Sequence, residues 1–378
     1  MWQLKAEVHS APMRSVTASV LCLCLGLLAV SCAAATAPKS QPAPAPATQG
    51  PPPAPRSDVV PPATVPRVRL LATGGTISNR AGGRLTAEEL IKAIPDLPRH
   101  ATAEFEQFAN TASSALTLEQ WLNLARRINE LFRTDAALTG VVVTSGTDTL
   151  EELAYFLNLT VRDPRPVVVV GSMRNPSTLG YEGAANLLEG FRVAANPGSP
   201  GRGVLVVLND EINAAREVTK TDALRLQTFQ TRGYGILGVV DRDRVVYYRR
   251  VEHRHTADSE FDAGAMTALP RVDVFLTYQG ASGDLIKAAV DAGAQGIVLA
   301  TAGAGATSGT QSEGVRYAAS KGVPVVMTTR TGSGRIAGGR GITIAGEDLA
   351  PVKARILLMV ALTKTRDAAE LRRIFSEY

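Results

Sequence analysis

Beyond Cys32 the sequence has no cysteine: its three, Cys22, Cys24 and Cys32, stand near the start of a chain of 378 residues. Disulfides, a cysteine nucleophile and a thiolate-held metal are thereby excluded from the rest of the chain. Histidine is almost as scarce, with only His9, His100, His253 and His255. None of the four follows a strand-like run in a glycine-rich turn, which argues against a Ser-His-Asp arrangement. Aromatic residues make up only 5%, and the net charge of +5 is small, with two of those charges lying before residue 67. No nucleic-acid partner is expected, because such surfaces need clustered Lys and Arg and aromatic stacking platforms. What is present, 45% hydrophobic and 20% charged residues, is an ordinary globular composition.

The long apolar run needed to span a bilayer is also missing. Val20 to Val30 is apolar over eleven residues, preceded by Arg14 and followed by Ser31-Cys32 and a run of alanines. That pattern predicts a signal peptide over 1–32, too short for a membrane helix, with Met13 an alternative start to Met1. Leu28-Ala-Val-Ser-Cys32 resembles a lipobox, with Ala29 where Leu or Val is usual, so Cys32 is the predicted lipidation site. Plain cleavage in the alanine stretch is the other reading. Residues 33–66 hold a Pro/Ala-rich spacer, with eleven of the 22 prolines between Pro38 and Pro66. The chain is therefore expected to be exported to the periplasm or cell envelope, touching a membrane only through a lipid on Cys32.

After Pro66 short apolar, β-branched runs recur: Val68–Ala72, Val141–Val143, Val167–Val170, Val204–Leu208, Val272–Leu276, Ile297–Ala300 and Val323–Met327. Uninterrupted apolar strands separated by helical periods predict an α/β protein with parallel sheets buried on both faces. Thr86-Ala-Glu-Glu89, Thr117-Leu-Glu-Gln120 and Thr149-Leu-Glu-Glu152 each fit a capping box at a helix start. The spacing Leu118, Trp121, Leu122, Ala125, Ile128, Phe132 makes one apolar face and places Trp121 in the core. The pattern stops between about Val251 and Pro270. The expected division is a larger, doubly wound, mainly parallel N-terminal domain over 67–252, a linker over 253–270, and a smaller α/β domain over 271–378. His253 and His255 then read as solvated linker residues, with no metal site.

Ligands of open α/β sheets bind beyond the carboxyl ends of the strands, so the turns there carry the chemistry. Thr73-Gly74-Gly75-Thr76-Ile77-Ser78 follows the first strand. Gly75 would bring backbone N–H groups close to a substrate and Thr76 would offer a hydroxyl, although a plain tight turn fits equally. Thr144-Ser145-Gly146-Thr147-Asp148-Thr149 joins a buried strand to a helix, where the free N–H groups favour an anionic ligand group. Asp148 is either a helix cap or a partner for a substrate ammonium. Lys220, in Val218-Thr-Lys-Thr221, is either a solvated charge or a base near a hydroxyl.

These stretches, with Pro166-Val-Val-Val-Val-Gly-Ser-Met-Arg174 and Arg202-Gly-Val-Leu-Val-Val-Leu-Asn-Asp210, resemble the bacterial-type (type II-like) L-asparaginase family from Val68 to Tyr378. Ser145 departs from the family's usual histidine. The resemblance implies hydrolysis of the side-chain amide of L-asparagine, with L-glutamine a second candidate substrate, and no metal or organic cofactor. It implies Thr76 as nucleophile and Thr147, Lys220 and Asp148 as a proton relay. Substrate binding would fall to Gly75, Ser113, Ser114, Gly146, Thr147 and Asp148. The segment after the first turn is short, Asn79-Arg-Ala-Gly-Gly-Arg84, and lacks the usual tyrosine, for which Tyr181 is the substitute from another loop. Gly280 stands where an Asn from a neighbouring subunit is common, and Thr331-Gly-Ser-Gly-Arg335 offers no counterpart of the usual neighbour Glu. The resemblance also implies a homotetramer, a dimer of dimers. Two rival readings are an envelope-tethered amino-acid-binding protein of the same fold with weak or no catalysis, and a nucleotide-binding α/β protein, the latter weakened because no G-x-G-x-x-G occurs.

Overall fold

The computed structural model describes residues 65–336 and 341–378. The signal-like segment, Cys32 and the proline-rich spacer up to residue 64 lie outside the described residues. Among those described, no helix is long and apolar enough to cross a membrane.

The large sheet has eight principal strands: β1 (Arg67–Gly74), β2 (Thr102–Thr111), β3 (Leu138–Thr144), β4 (Val167–Val170), β5 (Leu205–Leu208), β6 (Glu211–Ala214), β7 (Gly238–Val240) and β8 (Val245–Tyr247). Their spatial order is β8-β7-β6-β5-β4-β3-β1-β2. Strands β2, β1, β3, β4 and β5 run parallel. The remaining pairs are antiparallel, so this sheet is mixed at one end rather than parallel throughout. A smaller parallel sheet follows, ordered β9 (Val272–Leu276), β10 (Gly296–Thr301), β11 (Val325–Thr329), β12 (Thr343–Ala345). The architecture is thus a large, mainly parallel α/β domain followed by a smaller one with its own parallel sheet.

Besides the helices named below, the described residues form α1 (Ala87–Lys92), α5 (Asp284–Asp291) and α6 (Gln311–Ser320), and strand alternation sends side chains to opposite faces of the sheets. Leu71, Val141, Val143 and Val169 join the core under α2 (Leu118–Thr134), α3 (Leu150–Thr160) and α7 (Pro351–Ala361). Leu70, Val142, Val168 and Val170 join the opposite core with α4 (Gly183–Ala195). Trp121 is buried, its ring 5.8 Å from that of Phe156. Helix α3 lies between the large sheet and α7 and is buried along almost its whole length.

Several expectations are corrected. Strand β9 was expected to be buried on both faces, but it is the edge of the small sheet and leaves Val274 and Leu276 exposed. The capping boxes at Thr86 and Thr117 form. The one at Thr149 does not: Thr149 leaves the extended conformation a cap requires, and Glu152 turns toward Arg355 of α7, 3.6 Å away. His253 and His255 are half-buried rather than solvated, and burial pushes both imidazoles below their ordinary pKa. Their segment lies against the end of α8 (Ala368–Glu377), where Arg254 pairs with Glu377 at 2.8 Å.

Candidate active site

The chain runs from β1 to β2 on one side and then returns to place β3 on the other. That makes the ends of β1 and β3 the topological switch point of the sheet, where adjacent loops part and leave a crevice. Both threonine turns leave from this point.

The two turns touch at backbone distance. Gly75 has φ +89°, a left-handed value that favours glycine, and a Cβ there would lie 2.2 Å from the Gly146 nitrogen. A Cβ on Gly146 would in turn lie 2.9 Å from the Ser113 hydroxyl. Gly75, Gly146 and Ser113 are therefore stacked with no room for a side chain between them. Hydrogen bonds hold the stack: Gly75 N–H donates to Thr111 O at 2.8 Å, and the Thr73 hydroxyl donates to Thr144 O at 2.6 Å. Thr76 and Thr147 each follow one of the touching glycines, so the two residues start from adjacent backbone. Among the described residues the Thr76 side chain has no hydrogen-bond partner.

Lys220 closes the group. It lies on a two-residue strand, Thr219–Lys220, paired with Phe229–Gln230. Its Nζ donates to Thr147 Oγ1 at 3.1 Å and to Asp148 Oδ1 at 2.9 Å. Thr147 is buried and the Asp148 side chain is 74% exposed, so the lysine bridges an interior hydroxyl and a carboxylate that is open to solvent. Asp148 does not cap α3; the cap position is Thr149, whose N–H faces the Ser113 hydroxyl at 3.4 Å.

Tyr181 reaches the first turn from a loop after β4, its hydroxyl donating to Ile77 O at 2.8 Å, one residue past Thr76. Burial raises that phenol above its ordinary pKa, so it remains a donor at neutral pH. The segment after the first turn is a tight hairpin, Asn79–Arg80 against Gly83–Arg84. It is tied at its base by Arg84 Nη1 to Gly75 O at 3.3 Å and at its tip by Ala81 N–H to Ser177 Oγ at 2.9 Å. Ser114 is exposed, and no hydrogen bond joins it to these groups. Two residues that sequence reasoning missed stand behind Lys220: Glu151 accepts from its backbone N–H at 3.1 Å, and Lys353 lies 3.9 Å from Glu151. No sequence signal singled them out, because each helix carries a second charge, Glu152 in α3 and Arg355 in α7.

A hydroxyl free to attack, a second hydroxyl bound to a lysine, and glycine-rich backbone at strand ends suit nucleophilic attack on a carbonyl. The asparaginase N-terminal family model matches residues 67–253, and the glutaminase/asparaginase C-terminal model matches residues 271–375. The chain belongs to the asparaginase family. L-asparaginase 2 of Bacillus subtilis (strain 168) is 41% identical over 328 residues, covering 83% of this chain and 87% of that protein. The glutaminase-asparaginase of Pseudomonas fluorescens biotype A is 35% identical over 345 residues, covering 87% and 95%. Among solved structures, the "Probable Cytoplasmic L-asparaginase from Campylobacter jejuni" superposes with a TM-score of 0.79 at 39% identity, covering 83% of this chain and all of that one. In this asparaginase family member the segment after the first turn is the short hairpin at 79–84, and Tyr181 reaches that turn from the loop after β4.

Proposed function

We propose that the chain hydrolyses the side-chain amide of L-asparagine to L-aspartate and ammonia, with L-glutamine a second substrate. Thr76 attacks the amide carbon, its proton passing through Thr147 to Lys220 Nζ and from there to the departing nitrogen, so that the C–N bond breaks and ammonia leaves. Water then cleaves the resulting ester, returning the Thr76 hydroxyl and releasing aspartate. Other N–H groups of the two turns stabilise the oxyanion, the Gly75 N–H being already bound to Thr111 O. Asp148 holds the substrate ammonium, Ser113 and Ser114 its carboxylate, and Tyr181 stands beside the nucleophile. The observation that carries this reading is Lys220 Nζ held between Thr147 Oγ1 and Asp148 Oδ1. A threonine hydroxyl is a poor nucleophile unless a base lies within reach of its proton.

The test is ammonia release from L-asparagine and L-glutamine by the full chain, beside Thr76→Ala, Thr147→Val and Lys220→Met. Each variant is expected to lose roughly 10²- to 10⁴-fold in kcat, the range of acid–base and nucleophilic contributions. A Thr76→Ala protein that still turns over would overturn the assignment. The binding-protein alternative predicts thermal stabilisation by asparagine without ammonia release; the Thr147–Lys220 contact favours hydrolysis.

The same proposal includes the division into 67–252, a linker over 253–270 and 271–378. It also includes export, with Cys32 carrying a lipid, and a homotetramer built as a dimer of dimers. Exposed Val274, Leu276 and Tyr278 at the small sheet's edge are apolar surface of the kind that association covers. Sedimentation equilibrium should give four times the monomer mass, and a monomer alone would remove the tetramer.

A further inference from the structure

Glu151 stands in the first turn of α3, four residues after Thr147, and is 9% exposed. One carboxylate oxygen, Oε1, accepts from Thr219 Oγ1 and from Lys220 N–H, each at 3.1 Å. The other, Oε2, is buried, receives no hydrogen bond and lies 3.9 Å from Lys353 Nζ. Lys353 projects from α7 in the small domain and is 1% exposed. Its ammonium donates to three carbonyls of one segment: Ala215 O at 2.9 Å, Arg216 O at 3.0 Å, and Val218 O. Residues 215–220 are thus held from two helices at once. One of these helices begins at the Thr147 turn; the other belongs to the small domain.

A buried ammonium costs several kcal/mol unless its charge and all its protons are matched, and three carbonyls plus a carboxylate match this one. Burial still pushes Lys353 down to about 8, with Glu151 opposing the fall. Without Lys353 the three carbonyls would be buried and unpaired.

We propose that Glu151 and Lys353 are positioning residues for hydrolysis: they fix segment 215–220 against α3, so that Lys220 Nζ meets Thr147. This rests on the reading of Lys220 as proton carrier given above. Glu151 binds the Lys220 N–H directly and Lys353 binds the carbonyls just before it, so both act through the placement of Lys220.

Glu151→Gln tests the proposal without changing side-chain volume. An amide has one oxygen, so the variant cannot both accept from Lys220 N–H and face the Lys353 ammonium with oxygen. The full-chain variant is assayed with L-asparagine, melted, and crystallised. The expected result is a kcat lower by roughly tenfold or more, part of the 10²- to 10⁴-fold that acid–base catalysis supplies. KM should stay within about threefold of the parent's, since the substrate-binding turns are untouched. The crystal structure should show Lys220 Nζ withdrawn from hydrogen-bond range of Thr147 Oγ1. An unchanged kcat overturns the proposal, as does a fall in kcat with the Lys220–Thr147 contact intact or a fall that only tracks loss of folded protein. If Glu151→Gln fails to fold, Thr219→Val, which removes one donor to Oε1 and no charge, must show a smaller kcat loss in the same direction, and an unchanged kcat overturns the proposal there too. Should the parent itself release no ammonia, the hydrolase reading has failed, and the Lys220–Thr147 distance in the Glu151→Gln crystal alone decides the positioning role.

Discussion

Glu189, on α4, lies against the two-residue turn Asn209-Asp210 that joins β5 to β6, with φ of 52° and 64°. Asp210 N–H donates to Glu189 Oε2 at 3.1 Å, and the glutamate is 8% exposed. Burial, reinforced by the neighbouring Asp210 carboxyl, raises Glu189 to about 8. In the unfolded chain a glutamate titrates near 4, at about 4.3. The folded state therefore keeps a proton that the unfolded state gives up, and this group's stabilisation is present in acid and lost as pH rises from about 4 through about 8. Glu189→Gln should lift the thermal midpoint at pH 8 while leaving it nearly unchanged at pH 5. Equal shifts at both pH values would show that the carboxyl is not the titrating group. At this scale the two turns that hold Thr76, Thr147 and Asp148 were legible as strand ends, because the apolar runs Val68–Ala72 and Val141–Val143 precede them; the roles proposed for the three residues came from the family resemblance. Glu151 and Lys353 were not legible: their partners, 219–220 and 215–218, are far away in sequence, and only tertiary packing brings them together.

Three helices share one N-terminal sequence pattern but not one structure, which isolates what a cap contributes. Thr117 accepts from Gln120 N–H at 3.1 Å while the Gln120 side chain accepts from Thr117 N–H at 2.9 Å. Thr149 makes no such bond. Thr117→Ala should cost about 1 kcal/mol in denaturant unfolding, and Thr149→Ala only about a few tenths, because only the first loses a cap. Equal costs would contradict the assigned caps. The pattern misleads at Thr149 because α3 is packed between the sheet and α7, and tertiary contacts claim Glu152. Strand β2 escaped notice for a related reason. Its sequence, TAEFEQFANT, mixes charged and apolar residues, and as the outermost strand beside β1 it keeps much of its length exposed.

Across the whole molecule Tyr378 ties the large domain to the last helix. Its side chain is fully buried, with its ring 5.1 Å from that of Phe261. Its hydroxyl accepts from Glu260 N–H at 2.7 Å, and its main-chain oxygen accepts from the Tyr155 hydroxyl at 3.2 Å and from Arg216 Nε at 2.5 Å. Tyr378→Ala should cost about 3 to 5 kcal/mol, as truncating a large buried aromatic does. A urea midpoint unchanged from the parent's would refute that. The alternation of strand and helix disclosed two α/β layers from the sequence. The antiparallel end of the large sheet stayed hidden, because β7 and β8 have only three residues each. Lys353 also sets an order of events on the ribosome. Chains fold from the N-terminal side as they emerge, and both threonine turns and Lys220 leave the tunnel well before residue 353. Until α7 arrives, the carbonyls of Ala215, Arg216 and Val218 lack their donor, so a nascent chain stalled at that stage carries Thr76, Thr147 and Lys220 while the segment that holds Lys220 is not yet fastened.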